Sequence, residues 1–335
     1  TTYEWNTGST NASISVGPGT TTTYTVTGTA ANGCTGTASI QIIVNPLPVV
    51  TMTVSDSVIC DGESVTLTAA SDIAGSSFIW STGAATPQII VTPNLTNTYY
   101  LTVTSPEGCV TTANTTITVN PNPIAGIVPS SGAICLGSTA TLTANSNIAV
   151  SSYLWNTAET NPTIFVAPAT TSIYNVTVTT AEGCSGTADI SILVNPLPGI
   201  SVTAPTAAIC LGSSVDLTAN SSHPSTTYLW NTGQTATTIN VAPAATSTYS
   251  VTGTDVNGCT GTAEFIVTVN PLPDVDIIAA QNQICQGMSV QLTASSNIPN
   301  TNYEWSTGQN TQSIVVSPPA TTTYEVTGTD ANGCT

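Results

Sequence analysis

The chain of 335 residues contains no lysine and no arginine, whereas its 17 acidic residues give it a formal net charge of −17 at pH 7. Proteins bind phosphate backbones chiefly through Lys and Arg, so the composition excludes a nucleic-acid partner. It also excludes a basic patch for anionic membrane surfaces. Isopeptide cross-links are chemically impossible here, because they require a lysine amine.

Side chains with catalytic chemistry are scarce. His223 is the only histidine and stands beside Pro224 in a predicted turn. The chain has no Cys-x-x-Cys motif, no Asp-x-Asp-x-Asp-Gly loop and no glycine-rich phosphate loop. We therefore predict no enzyme activity and no catalytic, cofactor-binding or metal site. The acidic residues are interpreted as solvated surface groups, with weak calcium bridging between repeats kept as an alternative.

Long apolar runs and targeting signals are also missing. No stretch of 18 apolar residues occurs, so the sequence predicts no membrane insertion in this segment. There is no signal peptide, but the chain begins and ends within a repeat, and we expect it to be part of a longer protein. Regularly spaced cysteines favour an oxidising setting outside the cell or at its surface.

What the sequence does contain is a repeat with a period of 75 residues. A fixed period of this length indicates one small folded module repeated along the chain. The period is marked by a tryptophan series and two cysteine series: Trp5, Trp80, Trp155, Trp230 and Trp305; Cys34, Cys109, Cys184, Cys259 and Cys334; and Cys60, Cys135, Cys210 and Cys285.

Within residues 49–123, apolar and polar residues alternate in short runs separated by Gly, Asn and Pro, which is typical of β-strands. Six strands are predicted, or seven if 84–87 forms a short edge strand. Their segments are 50–54, 64–69, 78–80, 89–91, 99–103 and 115–119. This number of short strands, with Trp80 between two cysteines, indicates an all-β immunoglobulin-like sandwich. The five tryptophans are predicted core residues.

The predicted organisation is a tandem array of immunoglobulin-like (PKD-like) β-sandwich modules of 75 residues joined by Asn-Pro-x-Pro linkers. Two prolines in four residues favour an extended, semi-rigid segment. A strand of about nine residues plus the linker gives about 40 Å per repeat. The modules are a partial one at 1–48 (C-terminal part), complete ones at 49–123, 124–198 and 199–273, and a partial one at 274–335 lacking its last strand.

The cysteine spacing allows two disulfide schemes. The preferred scheme joins cysteines within a module and closes a loop of about 50 residues, which in the chain-entropy model contributes on the order of 4 kcal/mol. The alternative joins Cys34 to Cys60 across a linker. A standard immunoglobulin strand order can place Cys60 and Cys109 at opposite ends of the module, so the alternative stays open. The preferred pairs are Cys60–Cys109, Cys135–Cys184, Cys210–Cys259 and Cys285–Cys334.

The outward-facing residues of two strands vary between repeats. The position before the tryptophan and the middle of the Ile-x-Val strand are apolar in several modules. Apolar residues that recur outward on adjoining strands suggest a lateral contact between chains. The candidate contact residues are Ile79, Ile90, Leu154, Phe165 and Leu229.

Four motifs resemble a known group of repeats. They are Ile-Cys-x-Gly-x-Ser-Val-x-Leu-Thr-Ala at 209–219, Tyr-Leu-Trp-Asn-Thr-Gly at 228–233, Val-Ala-Pro…Thr-Tyr-x-Val-Thr at 241–252 and Asn-Gly-Cys-Thr-Gly-Thr-Ala at 257–263. They look like the Ig-like/PKD-like repeats of giant Bacteroidota cell-surface adhesin or filament proteins, and the resemblance covers the whole chain. It implies export by type IX secretion and a role in stalks, adhesins or filaments that grip surfaces or prey. It brings no catalytic residues.

The leading hypothesis is a structural stalk or filament segment of an extracellular adhesin for surface or prey-cell attachment. Such chains are expected to assemble side by side as a homo-oligomer or multi-chain fibre. One alternative is a repeat that binds glycans or another cell's surface. A further alternative is the stalk of a secreted enzyme. Buried aromatic residues favour the structural role, whereas aromatic residues on an open face favour glycan binding.

Overall fold

The computed structural model describes residues 1–335 and consists of 29 β-strands without a helix. Module names follow the 75-residue repeats predicted above. By its internal contacts the chain forms two compact units. Unit 1 comprises Thr1–Pro129, Leu142–Ile164 and Ile173–Ile190, and unit 2 comprises Ser130–Thr141, Phe165–Ser172 and Ser191–Thr335.

The strands recur in the same order in successive repeats, and their bounds are as follows. Module 1–48 has β1 Thr2–Trp5, β2 Thr22–Thr29 and β3 Thr35–Ile42. Module 49–123 has β4 Val50–Val54, β5 Val58–Cys60, β6 Val65–Ser71, β7 Ser77–Trp80, β8 Gln88–Val91, β9 Asn97–Thr104 and β10 Val110–Asn120. Module 124–198 has β11 Ala125–Pro129, β12 Ala133–Cys135, β13 Ala140–Ser146, β14 Ser152–Trp155, β15 Thr163–Val166, β16 Ser172–Thr179 and β17 Ser185–Asn195.

The later repeats continue this series. Module 199–273 has β18 Ile200–Thr203, β19 Ala208–Cys210, β20 Val215–Ser221, β21 Thr227–Trp230, β22 Thr238–Val241, β23 Ser247–Thr254 and β24 Thr260–Asn270. Module 274–335 has β25 Val275–Ala279, β26 Val290–Ser296, β27 Asn302–Trp305, β28 Ser313–Val316 and β29 Val326–Thr329.

In unit 1, module 49–123 is a sandwich of two sheets. One sheet has the strand order β4-β6-β8, and the other has the order β5-β10-β9-β7. All pairs are antiparallel except that of β5 with the end of β10, which is parallel and places Cys60 opposite Asn120. Module 199–273 in unit 2 repeats this arrangement, with sheets β18-β20-β22 and β19-β24-β23-β21.

Alternation of apolar and polar residues produces the core. Along β6, Val65, Leu67 and Ala69 are buried while the residues between them are not. Trp80 fills the space between the sheets at 1% exposure, and its Nε1–H donates to the Thr86 carbonyl at 2.9 Å. Modules 49–123, 199–273 and 274–335 thus each have a small apolar core built around a tryptophan, as the sequence predicts.

The all-β, immunoglobulin-like prediction is confirmed, with one change in the strand list. The predicted strand at 50–54 matches β4, and the seventh strand is β5, Val58–Cys60. Residues 84–87, the predicted edge strand, are not a strand. A three-residue strand such as β5 shows too little alternation to be recognised before its parallel partner is known.

Candidate functional site at the module junctions

The cysteines link consecutive modules. The three disulfides are Cys60–Cys184, Cys135–Cys259 and Cys210–Cys334, with Cα–Cα distances of 5.5, 5.5 and 5.4 Å. Each joins residues 124 positions apart, so a cysteine near the start of one module bonds to the Gly-Cys turn of the next. The predicted pairs Cys60–Cys109, Cys135–Cys184, Cys210–Cys259 and Cys285–Cys334 are wrong, and so is the alternative Cys34–Cys60.

The long strand β10 explains why a pair within the module cannot form. Cys60 lies beside Asn120, the last residue of β10, whereas Cys109 directly precedes its first residue, Val110. Because β10 has 11 residues at about 3.3 Å each, the two cysteines lie about 36 Å apart, far beyond the reach of a disulfide.

Around the Cys60–Cys184 disulfide, the linker at 120–123 contacts the start of its own module and a cysteine of the next module. The Asp61 N–H donates to the Asn120 carbonyl at 2.9 Å, and the Asn122 side-chain amide donates to the Asp61 carbonyl at 2.9 Å. The Cys184 Sγ lies 3.9 Å from the Asn120 carbonyl oxygen. The linker at 120–123 is therefore held by both modules rather than free.

Glycines let the linker approach the next module closely. A Cβ atom added to Gly186 would collide with the Pro123 carbonyl, and one added to Gly261 would collide with the Pro198 carbonyl. The equivalent position in module 1–48, Gly36, has open space around it. In the Gly-Cys-x-Gly motif, the second glycine is thus required by packing at the junction.

We expect Gly261→Ala to destabilise unit 2 by about 1–3 kcal/mol, because the added methyl group must displace the Pro198 carbonyl. Guanidinium unfolding followed by tryptophan fluorescence measures the change. Gly36→Ala is the matched control and should be nearly neutral. Equal effects of the two substitutions would contradict a packing role for Gly261.

In four of the five Gly-Cys turns, the side chain four positions before the cysteine holds the turn. The Asp255 carboxylate accepts from the N–H groups of Asn257 and Cys259, at 2.9 and 2.8 Å. Asp330 accepts in the same way from Asn332 and Cys334. At the same position, the Thr180 hydroxyl accepts from the Cys184 N–H, and the Ser105 hydroxyl accepts from the Cys109 N–H.

These capping residues are buried, which corrects one prediction. Asp255 and Asp330 are only 6% and 4% exposed, so they are not solvated surface acids. The recurring Asp-x-Asn-Gly-Cys pattern could have identified them, because short acidic side chains bond to backbone N–H groups two and four residues on. Their function is to fix the cysteine that enters the disulfide.

Both capping carboxylates ionise more readily than usual. Burial opposes the ionisation of Asp255, but hydrogen bonds from Cys259, His223 and Asn257 outweigh it and lower its pKa. The His223 Nδ1 lies 3.0 Å from Asp255 Oδ2, so the single histidine belongs to this turn. For Asp330, the Cys334 N–H is the main cause of a lowered pKa.

A depressed folded-state pKa makes these junctions sensitive to acid. The stability that each carboxylate contributes is present above its usual pKa of 3.8 and is lost as the pH falls through the lower folded value. We therefore expect Asp255→Asn/Asp330→Asn to reduce the difference in melting temperature between pH 7 and pH 3. Glu107→Gln/Glu182→Gln, at exposed positions, is the control. An unchanged acid sensitivity in the Asp variant would contradict the capping role.

Three cysteines remain as free thiols. Cys34 and Cys285 are exposed, and Cys109 is half-buried. The Cys109 Sγ lies 3.7 Å from the Asn45 carbonyl oxygen, much as Cys184 lies against Asn120. Cys109 thus occupies the same position at its junction as a disulfide-bonded cysteine, without a bond.

The tryptophans of modules 49–123 to 274–335 lie in their cores, at 1–2% exposure. Trp5 of module 1–48 is half-buried. No group of three or more His, Cys, Asp or Glu side chains that could hold a metal ion is present. The chain contains no helix of sufficient length and apolar character to cross a membrane.

The candidate lateral-contact residues are exposed but do not form one face. Ile79 and Ile90 are 57% and 72% exposed, yet β7 and β8 belong to different sheets. Outward side chains on the two sheets of a sandwich point to opposite sides, so the predicted single face on adjoining strands is wrong. Leu154 and Leu229 occupy the position of Ile79, and Phe165 that of Ile90; all three are exposed.

The chain is similar in fold to solved arrays of immunoglobulin domains. The eight N-terminal Ig domains of Down Syndrome Cell Adhesion Molecule match 91% of this chain at 14% identity and a TM-score of 0.36, and this chain spans 48% of that structure. A Ca²⁺-stabilised adhesin of an Antarctic bacterium matches 84% of this chain and 89% of its own length, at 19% identity and a TM-score of 0.33.

A structure of a 1.5-MDa bacterial ice-binding adhesin is a further match, at 18% identity and a TM-score of 0.28, over 68% of this chain and all of that one. No protein-family model matches the chain. The comparison with curated proteins gives no match.

Proposed function

We propose that this chain is a force-transmitting structural segment of an extracellular adhesin, in which disulfides join consecutive modules at three of the four junctions. The observation that supports this most directly is the set of three disulfides between modules. At each of these junctions the polypeptide linker and a disulfide run side by side. Two covalent connections resist bending and separation of modules far better than one.

The junction contacts support the same role. The Asn120 carbonyl accepts a hydrogen bond from one module and lies against the Sγ atom of the next. The close approach of Pro123 to Gly186 leaves no space for a flexible hinge. The residues placed around the disulfides are caps and packing groups without catalytic geometry, and the proposed segment is not an enzyme.

The burial of the tryptophans favours a structural role over glycan binding. Glycan sites present aromatic rings on an open face, but Trp80 and Trp230 are each 1% exposed. Their Nε1–H groups are used internally, by the carbonyls of Thr86 and Ala236. The alternative of an enzyme stalk is compatible with the same junctions and depends on domains outside this segment.

We further propose that the segment lies at the cell surface, is exported by type IX secretion and serves attachment to surfaces or prey cells. Oxidised cysteines suit that location. Antibodies against this segment, detected by gold labelling on intact cells in electron micrographs, should mark surface appendages. Labelling confined to the cell interior would overturn the proposal.

Side-by-side assembly into a multi-chain fibre is proposed with a second copy of this chain as the partner. Because Ile79 and Ile90 lie on opposite sheets, each chain offers an apolar contact on two sides, as a bundle requires. Sedimentation velocity should show an oligomer that Ile79→Ser/Leu154→Ser/Leu229→Ser dissociates. Thr102→Ser, on the neighbouring strand, is the control, and a monomer at all concentrations would refute assembly by this segment alone.

A further inference from the structure

The disulfides form an interleaved series along the sequence. Cys60 bonds to Cys184, and Cys210, 26 positions later, bonds to Cys334. Cys135–Cys259 begins inside the first of these loops and ends inside the last. The order of the six cysteines thus provides a covalent route that leaves the backbone at Cys60, returns at Cys184, and leaves again at Cys210.

This route is much shorter than the backbone. From Cys60 to Cys334 the backbone has about 274 residue steps and could be drawn out to about 1,000 Å at about 3.6 Å per step. The disulfide route needs only about 26 steps, or about 95 Å of extended chain, plus two bridges of about 5.5 Å each. Most residues of this short route belong to β17, β18 and β19, which are extended already.

We propose that the disulfide series is an extension limiter: pulling force follows the short covalent route and bypasses the module cores. The proposal deepens the force-transmitting role of the proposed function and rests on it. Between Cys60 and Cys334 the oxidised chain can reach about one tenth of the length of the reduced chain, whatever fraction of it unfolds. The cores of Trp155 and Trp230 lie in the bypassed loops, so losing them leaves the maximum length unchanged.

The three disulfides differ in this function although they are chemically alike. With force applied at Thr1 and Thr335, the shortest covalent route uses Cys60–Cys184 and Cys210–Cys334 and has about 86 steps, or about 320 Å. Removal of Cys135–Cys259 leaves this route intact. Removal of Cys60–Cys184 lengthens the shortest route to about 184 steps, or about 670 Å. That route follows the backbone from Thr1 to Cys135, crosses to Cys259, and returns along the backbone to Cys210. It then crosses to Cys334.

Single-molecule force spectroscopy on the full chain, held by tags at both termini, tests the proposal. The free cysteines Cys34, Cys109 and Cys285 are changed to alanine to prevent rearrangement. We expect a maximum length of about 320 Å when oxidised and about 1,200 Å after reduction, a fourfold change. Cys60→Ala/Cys184→Ala should double the oxidised length, whereas Cys135→Ala/Cys259→Ala should not change it.

Equal lengths for the two double variants would overturn the proposal, as would equal lengths of oxidised and reduced wild-type chains. Trp230→Ala provides a second check: it should lower the unfolding force of the reduced chain and leave the oxidised maximum length at its wild-type value. These outcomes concern the covalent route itself. They are distinguishable from a failure of the cell-surface role, which the gold-labelling experiment measures.

Discussion

Replacing both cysteines of any one disulfide by alanine is expected to lower the free energy of unfolding by on the order of 4–5 kcal/mol. In the chain-entropy model the cost depends on the number of residues in the closed loop, and all three loops span 124 residues. Cys60→Ala/Cys184→Ala, Cys135→Ala/Cys259→Ala and Cys210→Ala/Cys334→Ala should therefore cost about the same. Guanidinium unfolding of the full chain, followed by tryptophan fluorescence, gives the three values.

Alanine is the right replacement because Cys184, Cys259 and Cys334 are at most 1% exposed, and a serine hydroxyl there would add a desolvation cost. Cys34→Ala and Cys285→Ala are the matched controls. Both residues are exposed free thiols, and each change should stay within about 0.5 kcal/mol. If the internal pairs Cys60–Cys109 and Cys210–Cys259 existed in solution, Cys109→Ala would be as costly as Cys184→Ala.

The equal thermodynamic cost contrasts with the unequal mechanical effect. Cys135–Cys259 should matter as much as Cys60–Cys184 for unfolding in denaturant, yet not at all for the maximum length under force. The free energy of unfolding in denaturant depends on how much each loop restricts the unfolded chain. The maximum length under force depends only on the shortest covalent route. Agreement of both experiments with these patterns would distinguish the interleaved series from any scheme in which each module is closed separately.

The sequence predicts the fold of this chain better than its cross-links, and the reason is distance along the chain. Alternation along 64–69 or 99–103 is a local property, and β6 and β9 lie where it indicates. Trp80 is recognisable as a core residue because its period is shared by five repeats. None of these inferences requires knowledge of which module a residue faces.

The disulfides, by contrast, depend on relations between modules. Nothing near Cys60 shows that it ends a strand parallel to the last residues of β10, or that the turn of the following repeat lies there. A repeat with identical cysteines in every module leaves pairs at spacings of 26, 49 or 124 residues equally compatible with the period. The length of β10, which separates Cys60 from Cys109, excludes the spacing of 49 residues, and the observed Cys60–Cys184 bond selects the spacing of 124.

The second glycine of the Gly-Cys-x-Gly motif illustrates the same limit. As a residue within a strand it indicates a bulge or a close approach of another backbone, but the sequence does not name the partner. The structure shows the Pro123 and Pro198 carbonyls in that position. Module 49–123 has Thr111 instead, whose buried hydroxyl finds no partner, so this junction is the one where the motif is imperfect.

Trp230→Ala is expected to destabilise module 199–273 by about 3–5 kcal/mol. The side chain is 1% exposed and packs among Leu217, Val251 and Val267, so its removal leaves a cavity between the two sheets. The substitution also leaves the Ala236 carbonyl without the Nε1–H donor that lies 2.9 Å away. Guanidinium unfolding followed by far-ultraviolet circular dichroism measures the loss without relying on the fluorescence of the deleted residue.

Two variants separate the contributions to this loss. Trp230→Phe keeps an aromatic ring but not the hydrogen-bond donor. It should retain more than half of the stability that Trp230→Ala loses, because the cavity accounts for most of that loss. Trp5→Ala removes the equivalent residue of module 1–48, where the side chain is half-buried but makes the same kind of bond, from Nε1 to the Asn11 carbonyl at 2.9 Å. It should cost clearly less. A Trp5 loss as large as that at Trp230 would show that the hydrogen bond, and not burial, determines the stability of each core.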